Sequence, residues 1–261
     1  MSLSEIQKKR YNRNILVNGV GEEGQEKLLS AKVLVIGAGG LGSPNLLYLA
    51  AAGIGTIGIA DGDTVDITNL QRQVVHHTPD IGRPKVESAK KKIEDLNPDV
   101  KVITYYYKVT PENISDVIKD YDFIIECTDN FTAKFLINDA CVLNKKPYSH
   151  CGVLSFYGQM ITYLPGCTCL RCLFSSPPAS GTSPTSSEAG IFTTVPGTFG
   201  TLQASEAVKY LLGNGRLLTN TLFYFDIFNF EVKTINIKPN PNCPLCGSAP
   251  TIKALSDNNY S

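Results

Sequence analysis

The chain has 261 residues, with 24 Lys and Arg against 24 Asp and Glu, and is 43% hydrophobic and 18% charged. That length gives one large domain with an ample core, and the near-average apolar and charged fractions exclude a disordered chain. The absence of a basic excess argues against a nucleic-acid coat or a polybasic membrane binder.

The chain opens with a polar, charged stretch from Met1 to Arg13, which is no secretory signal. No apolar run reaches the roughly 20 residues needed to span a bilayer. The expected compartment is the cytoplasm, where eight cysteines point to thiols or metal ligands before disulfides. A short helix is predicted from Ser4 and another over Gly24 to Leu29. Between them Arg10-Tyr11-Asn12-Arg13-Asn14 has no core-facing pattern and reads as a solvated arm. Lys32 to Ile36 is a short continuous apolar run ending at a glycine, the signature of a strand buried on both faces. A helix over Pro44 to Ala52, stopped by Gly53, leads to a second buried strand, Ile57 to Asp61. Further units alternate: helix Lys85–Asn97, strand Val100–Tyr107, helix Thr110–Asp120, strand Phe123–Cys127, helix Lys134–Leu143. Such alternation predicts a mostly parallel sheet with helices on both faces. The pattern changes near Tyr148. Met160–Leu164, Thr221–Asp226 and Glu231–Lys238 look like antiparallel strands, and Thr201–Leu212 like a helix stopped by Gly213. Ser175 to Glu188, rich in Ser, Pro, Gly and Thr, is a long irregular loop of the kind that carries function.

Gly37-Ala38-Gly39-Gly40-Leu41-Gly42 follows the first strand and opens a helix. It fits G-x-G-x-x-G, whose glycines allow a tight turn and let the backbone approach phosphate oxygens at a helix N-terminus. Asp61 ends the next strand, where an acidic side chain hydrogen-bonds a ribose hydroxyl. The motif says nucleotide but does not say which one. Asp61-Gly62-Asp63, Asn69-Leu70-Gln71-Arg72-Gln73, Gly82-Arg83-Pro84-Lys85 and Asp129-Asn130 all fall at or near predicted strand ends. Cations with carboxylates around a glycine loop suit a triphosphate and a divalent ion better than a hydride-transfer pocket. Each such residue taken alone reads as a solvated face.

Cys169-Leu170-Arg171-Cys172 and Cys243-Pro244-Leu245-Cys246 are two C-x-x-C pairs that together match a tetrahedral structural zinc site. The alternative is a redox C-x-x-C, but neither pair has a thioredoxin-like β-α-β context. Cys127, Cys141 and Cys151 read as packing residues, and Cys167 stays unassigned. His76, His77 and His150 show no metal-like spacing and receive no catalytic role.

These motifs, with Arg10-Tyr11-Asn12-Arg13, Cys127-Thr128-Asp129-Asn130 and Gly200-Thr201-Leu202-Gln203-Ala204, occur together over Tyr11 to Gly247. In combination they resemble the bacterial ubiquitin-activating-like adenylyltransferases, the molybdopterin-synthase and thiamine sulfur-carrier types. The resemblance implies a Rossmann-like, mostly parallel α/β sheet continued by antiparallel strands and closed by zinc. It divides one integrated domain into an N-terminal helical arm (1–30), a nucleotide-binding half (31–150) and a carrier-binding half (151–261) with a crossover loop at 175–194. It also implies ATP, magnesium and adenylation of the C-terminal Gly-Gly carboxylate of a small ubiquitin-like sulfur carrier, with a separate sulfur donor and a homodimer. By position, Gly37, Gly39, Gly40 and Gly42 resemble the phosphate loop and Asp61 the ribose ligand, with Asp63 beside it. Asn69, Gln71, Arg72 and Lys85 resemble the phosphate-binding segment, Asp129 with Asn130 the magnesium site, and Arg13 an arginine finger reaching the partner's ATP. Many relatives carry a cysteine where this chain has Ser186, so a persistent covalent link to the carrier is not expected. A nicotinamide-dependent oxidoreductase and a non-catalytic docking module for a ubiquitin-like protein are the competing readings.

Overall fold

The structure is a computed structural model and describes residues 2–179, 181–182 and 186–260, with the side chains of 186 and 187 outside the description. The expectation for Ser186 therefore lies outside the described side chains.

Helix α1 (Glu5–Ile15) starts at a capping box. Ser4 Oγ accepts from the Gln7 amide, and Gln7 Oε1 accepts from the Ser4 amide, satisfying two of the helix's orphan donors. The segment read as a solvated arm belongs to this helix. Tyr11 is fully buried, and its hydroxyl accepts from Asn97 Nδ2 at 2.9 Å. Tyr11 is the one buried residue of this helix, and a single position is too sparse a signal for periodicity. Helix α2 (Gly21–Ser30) follows.

Strand β1 (Lys32–Ile36) is buried on both faces. Val33 and Val35 join one core and Leu34 and Ile36 the other, the period of two expected of a central strand. Helix α3 (Gly42–Ala52) ends at Gly53 in the left-handed region, then come β2 (Thr56–Ala60), α4 (Lys85–Leu96), β3 (Lys101–Tyr105), α5 (Ile114–Ile118), β4 (Phe123–Glu126) and α6 (Phe131–Leu143). Strands β5 (Tyr148–Leu154) and β6 (Tyr157–Tyr163) form a hairpin. Short helices α7 (Leu170–Leu173) and α8 (Ser186–Ala189) precede the long α9 (Thr194–Leu212), and β7 (Thr221–Asp226) and β8 (Glu231–Asn236) close the sheet.

Among the described residues, eight strands form one sheet in the order β3-β2-β1-β4-β5-β6-β7-β8, parallel from β3 through β5 and antiparallel beyond. One core packs α3, α4 and α9 on the first face, the other packs α5, α6 and α7 on the second. The chain runs outward from β1 to β3 and then returns to place β4 on the other side of β1. The C-terminal edge between β1 and β4 is thus the point where connections diverge and leave a crevice. Among the described residues no helix is long and apolar enough to cross a membrane.

Candidate functional site

A cleft of about 870 Å3 opens at that edge. Gly37, at φ 100°, turns the chain out of β1, and a Cβ there would lie 2.6 Å from the Cys127 carbonyl oxygen. A Cβ on Gly42 would lie 2.0 Å from the Gly37 carbonyl oxygen. These two glycines close the turn and seat α3. A Cβ at Gly39 would meet nothing nearer than Gln73 at 3.6 Å, so packing does not require a glycine there. Its bareness leaves backbone exposed toward the cleft, as a phosphate-binding loop needs. Gly37, Gly39 and Gly40 border the cleft, whereas Gly42 lies behind them in the helix.

The loop is held from both sides at Ala38. Asp61 Oδ2 accepts from the Ala38 amide at 2.8 Å, and Asp61 Oδ1 accepts from the Asp63 amide at 2.8 Å. Burial raises the Asp61 pKa, against the pull of nearby Lys85. The Ala38 carbonyl meets His76 Nε2 at 2.9 Å, while His76 Nδ1 meets Ser88 Oγ at 2.9 Å. Only a protonated Nε2 can donate to a carbonyl, so the tautomer is fixed by this contact. Burial lowers the His76 pKa. His76 thus has a structural task in the loop that spacing in the sequence does not reveal.

Lys85, only 7% exposed, begins α4 and pairs with Asp63 at 3.3 Å. Lys108 reaches the same carboxylate at 3.6 Å. Arg72 Nη1 donates to the Thr68 carbonyl at 3.2 Å and its side chain borders the cleft. Gln73 Oε1 is buried there without a hydrogen-bond partner among the described residues, the kind of orphan that a ligand or water satisfies. Asp129 and Asn130 line the cleft at the start of α6, and Asn130 Oδ1 caps the helix by accepting from the Ala133 amide at 2.8 Å. The structure therefore brings Gly37, Gly39, Gly40, Asp61, Asp63, Arg72, Lys85, Asp129 and Asn130 to one cleft. Asn69 lines an adjoining shallow recess with Asp63 and Lys85. Gln71 is engaged elsewhere, accepting from Thr193 Oγ1 at 3.0 Å. Arg13 stands exposed on α1 and does not border the cleft of its own chain.

At the wall of the cleft, where Lys134 and His150 line it, lies a group that single residues in the sequence do not announce. Glu126, fully buried, accepts at Oε1 from the Thr128 amide (2.7 Å) and hydroxyl (2.6 Å). Lys134 Nζ bonds both carboxylate oxygens, at 3.1 and 3.0 Å, and the Cys151 carbonyl at 2.7 Å. His150 Nδ1 contacts Glu126 Oε2 at 2.8 Å. Burial alone would raise the Glu126 pKa, but Lys134, His150 and Thr128 outweigh it and hold the carboxyl at about 2. Gln203 Nε2, on α9, donates to the carbonyls of Glu126 (3.0 Å) and Ser149 (3.2 Å), joining β4 to β5 at their ends.

The four paired cysteines converge. Their sulfurs lie 3.8 Å apart for Cys169–Cys172, 3.7 Å for Cys169–Cys243, 3.5 Å for Cys169–Cys246 and 3.4 Å for Cys172–Cys246. Four sulfurs at about 2.3 Å from a tetrahedral zinc would stand about 3.8 Å apart, so the cluster fits that ion. Between the first two cysteines, Arg171 makes a bidentate pair with Asp139 of α6, each bond at 2.8 Å, and lies over the Phe135 ring. The knuckle is thereby fixed to the helix that carries Asp129 and Asn130 at its head. Cys127, Cys141 and Cys151 are buried, as read from sequence.

The fold and cleft define an α/β protein with a cleft at a sheet switch point. Comparison with known proteins narrows this class. The model of the ThiF family matches residues 11–245, and the chain belongs to that family. It is 41% identical over 260 residues to the SAMP-activating enzyme E1 of Haloferax volcanii, covering 100% of this chain and 96% of that protein. It is 42% identical over 254 residues to the sulfur carrier protein adenylyltransferase of Thermus thermophilus, covering 95% and 94%. The adenylyltransferase and sulfurtransferase MOCS3 of Aedes aegypti is 40% identical over 250 residues, but this chain spans only 57% of it. Among solved structures, E. coli MccB with AMPCPP and MccA superposes with a TM-score of 0.81 at 26% identity, over 91% of this chain and 74% of that one.

Proposed function

We propose that this chain is a sulfur-carrier protein adenylyltransferase. It binds ATP in the cleft and joins AMP to the C-terminal Gly-Gly carboxylate of a small ubiquitin-like sulfur carrier, releasing pyrophosphate. The observation that carries this reading is the convergence of bare Gly39–Gly40 backbone, the cations Arg72 and Lys85, and the carboxylate of Asp129 on one cleft.

The chemistry follows from charge. A carboxylate attacks the α-phosphorus, so two anions must be brought together. The carboxylate is already ionised at neutral pH and needs no general base. What the protein must supply is position and positive charge. The glycine loop and the start of α3 present backbone N–H groups to phosphate, and Lys85 and Arg72 add charge where it builds up on the departing pyrophosphate. Asp61, besides holding the loop, keeps lone pairs for the ribose. Asp129 would hold magnesium, which lowers phosphate charge when bound. Arg13 lies outside its own chain's cleft, the placement required of a finger acting in trans in a homodimer. The half from 151 to 261, with the crossover loop at 175–194, receives the carrier. The four thiols hold a structural zinc, since four protein ligands leave no open position for chemistry. A separate protein supplies sulfur, in molybdopterin or thiamine synthesis, and the enzyme works in the cytoplasm.

The test is isotope exchange between pyrophosphate and ATP. Exchange is expected only when a Gly-Gly-tailed carrier is present and is expected to vanish in Asp129→Ala without loss of the fold. Exchange without any carrier, or normal exchange in that variant, would overturn the reading.

A further inference from the structure

His150 belongs to none of the steps above. It is 5% exposed, borders the cleft, and its Nδ1 lies 2.8 Å from Glu126 Oε2. Glu126 is an acceptor only, being held ionised by Lys134, so Nδ1 carries the proton. The other ring nitrogen, Nε2, is then a lone pair, and it has no hydrogen-bond partner among the described residues. Burial favours the neutral ring. The cations and N–H groups of the cleft suit phosphate, and its other side-chain acceptors include the carboxylates of Asp61, Asp63 and Asp129 and Gln73 Oε1. A neutral acceptor held in one tautomer on β5 marks a place for a donor on a ligand.

The sheet order says which ligand. Along the C-terminal edge, β2 bears Asp61, β1 the glycine loop, β4 leads to Asp129, and β5 bears His150. A nucleotide with its ribose at Asp61 and phosphates at the loop leaves β5 on the side away from the nucleoside. The carboxylate must enter from there. A Gly-Gly tail has no side chains, so its only donors are backbone N–H groups. We propose that His150 Nε2 accepts the hydrogen bond of the last amide N–H of the carrier's Gly-Gly tail, setting the carboxylate against the α-phosphate, with Glu126 and Lys134 fixing the ring's tautomer. This inference rests on the adenylation reading.

The experiment compares a semisynthetic carrier ending in Gly-Gly with one whose last amide is an ester, which lacks the N–H. In exchange assays with the unmodified chain, the ester is expected to raise the carrier KM roughly 5- to 10-fold, the effect of one hydrogen bond, and to leave the ATP KM unchanged. In His150→Leu both carriers share the raised KM. His150→Gln, whose Oε1 can accept, restores the difference. Equal carrier KM for amide and ester with the unmodified chain overturns the assignment, whether or not the leucine variant folds. A carrier KM in folded His150→Leu equal to that of the unmodified chain also overturns it. No exchange with the amide carrier overturns adenylation itself and the assignment with it.

Discussion

The carboxylate of Asp61 accepts a hydrogen bond from the backbone amide of Ala38 at 2.8 Å. The residue expected to meet the ribose thus also holds the glycine loop in place. Asp61→Ala is expected to remove both functions. A charge-assisted hydrogen bond contributes about 1.5–3 kcal/mol, so ATP affinity should fall roughly 10- to 100-fold, with a smaller loss of stability. Equilibrium titration of ATP, read beside thermal unfolding, separates the two effects. Unchanged ATP affinity would remove Asp61 from the site.

Glu126 and Lys134 make a buried pair, with the carboxylate 0% and the lysine 8% exposed. Removing one partner of such a pair costs about 3–5 kcal/mol, because the other charge is left uncompensated. Lys134→Met should therefore be far less stable than the double variant Glu126→Gln with Lys134→Met. Denaturant titrations of the three proteins check this ordering.

The same carboxyl gives a pH dependence. Its folded pKa of about 2 lies below its ordinary 4.5. A depressed carboxyl stabilises the fold fully above 4.5 and loses that contribution as pH falls from 4.5 toward 2. The difference corresponds to roughly 3 kcal/mol. Stability measured from pH 6 to 2.5 should fall less steeply in Glu126→Gln than in the unmodified chain. Parallel curves would contradict the assignment.

Arg13 gives a test of trans action. Arg13→Ala and Lys85→Ala should each be inactive alone. In the proposed homodimer, co-expression gives heterodimers with one intact site of two, so exchange should return to about a quarter of normal. No recovery would place Arg13 outside the chemistry.

The cysteine cluster clamps segments with 70 residues between the two pairs. Elemental analysis should find one zinc per chain. Chelation should destabilise the protein by about 4 kcal/mol, as for a cross-link closing a loop of that length. A metal-free protein of unchanged stability would sink the structural role.

The β-α-β half was legible because buried parallel strands are short apolar runs with glycines at their ends, as in Lys32–Ile36. The sequence pattern marks helix α9 only from Thr201, but the helix begins at Thr194. Pro196, Gly197 and Gly200 hide its first turns, although a proline near a helix start costs little. Strand β5 leaves no strand signal in the sequence, since His150-Cys151-Gly152 shows no alternation and its burial comes from neighbours on both sides. The glycine loop, Lys85 and Asp129 were legible as motifs. Glu126, Lys134 and His150 were not: they are 8 and 24 residues apart, and only the sheet order brings them together. The burial of Tyr11 has no local signal, because its partner, Asn97, lies 86 residues away.

The most direct measurement is intact mass analysis of the carrier after incubation with this chain, ATP and magnesium, with pyrophosphate removed as it forms. The account predicts a carrier heavier by one adenylyl group, attached at its terminal glycine, and absent when Asp129→Ala replaces the unmodified chain. A carrier that stays unmodified while the cleft binds ATP would contradict it.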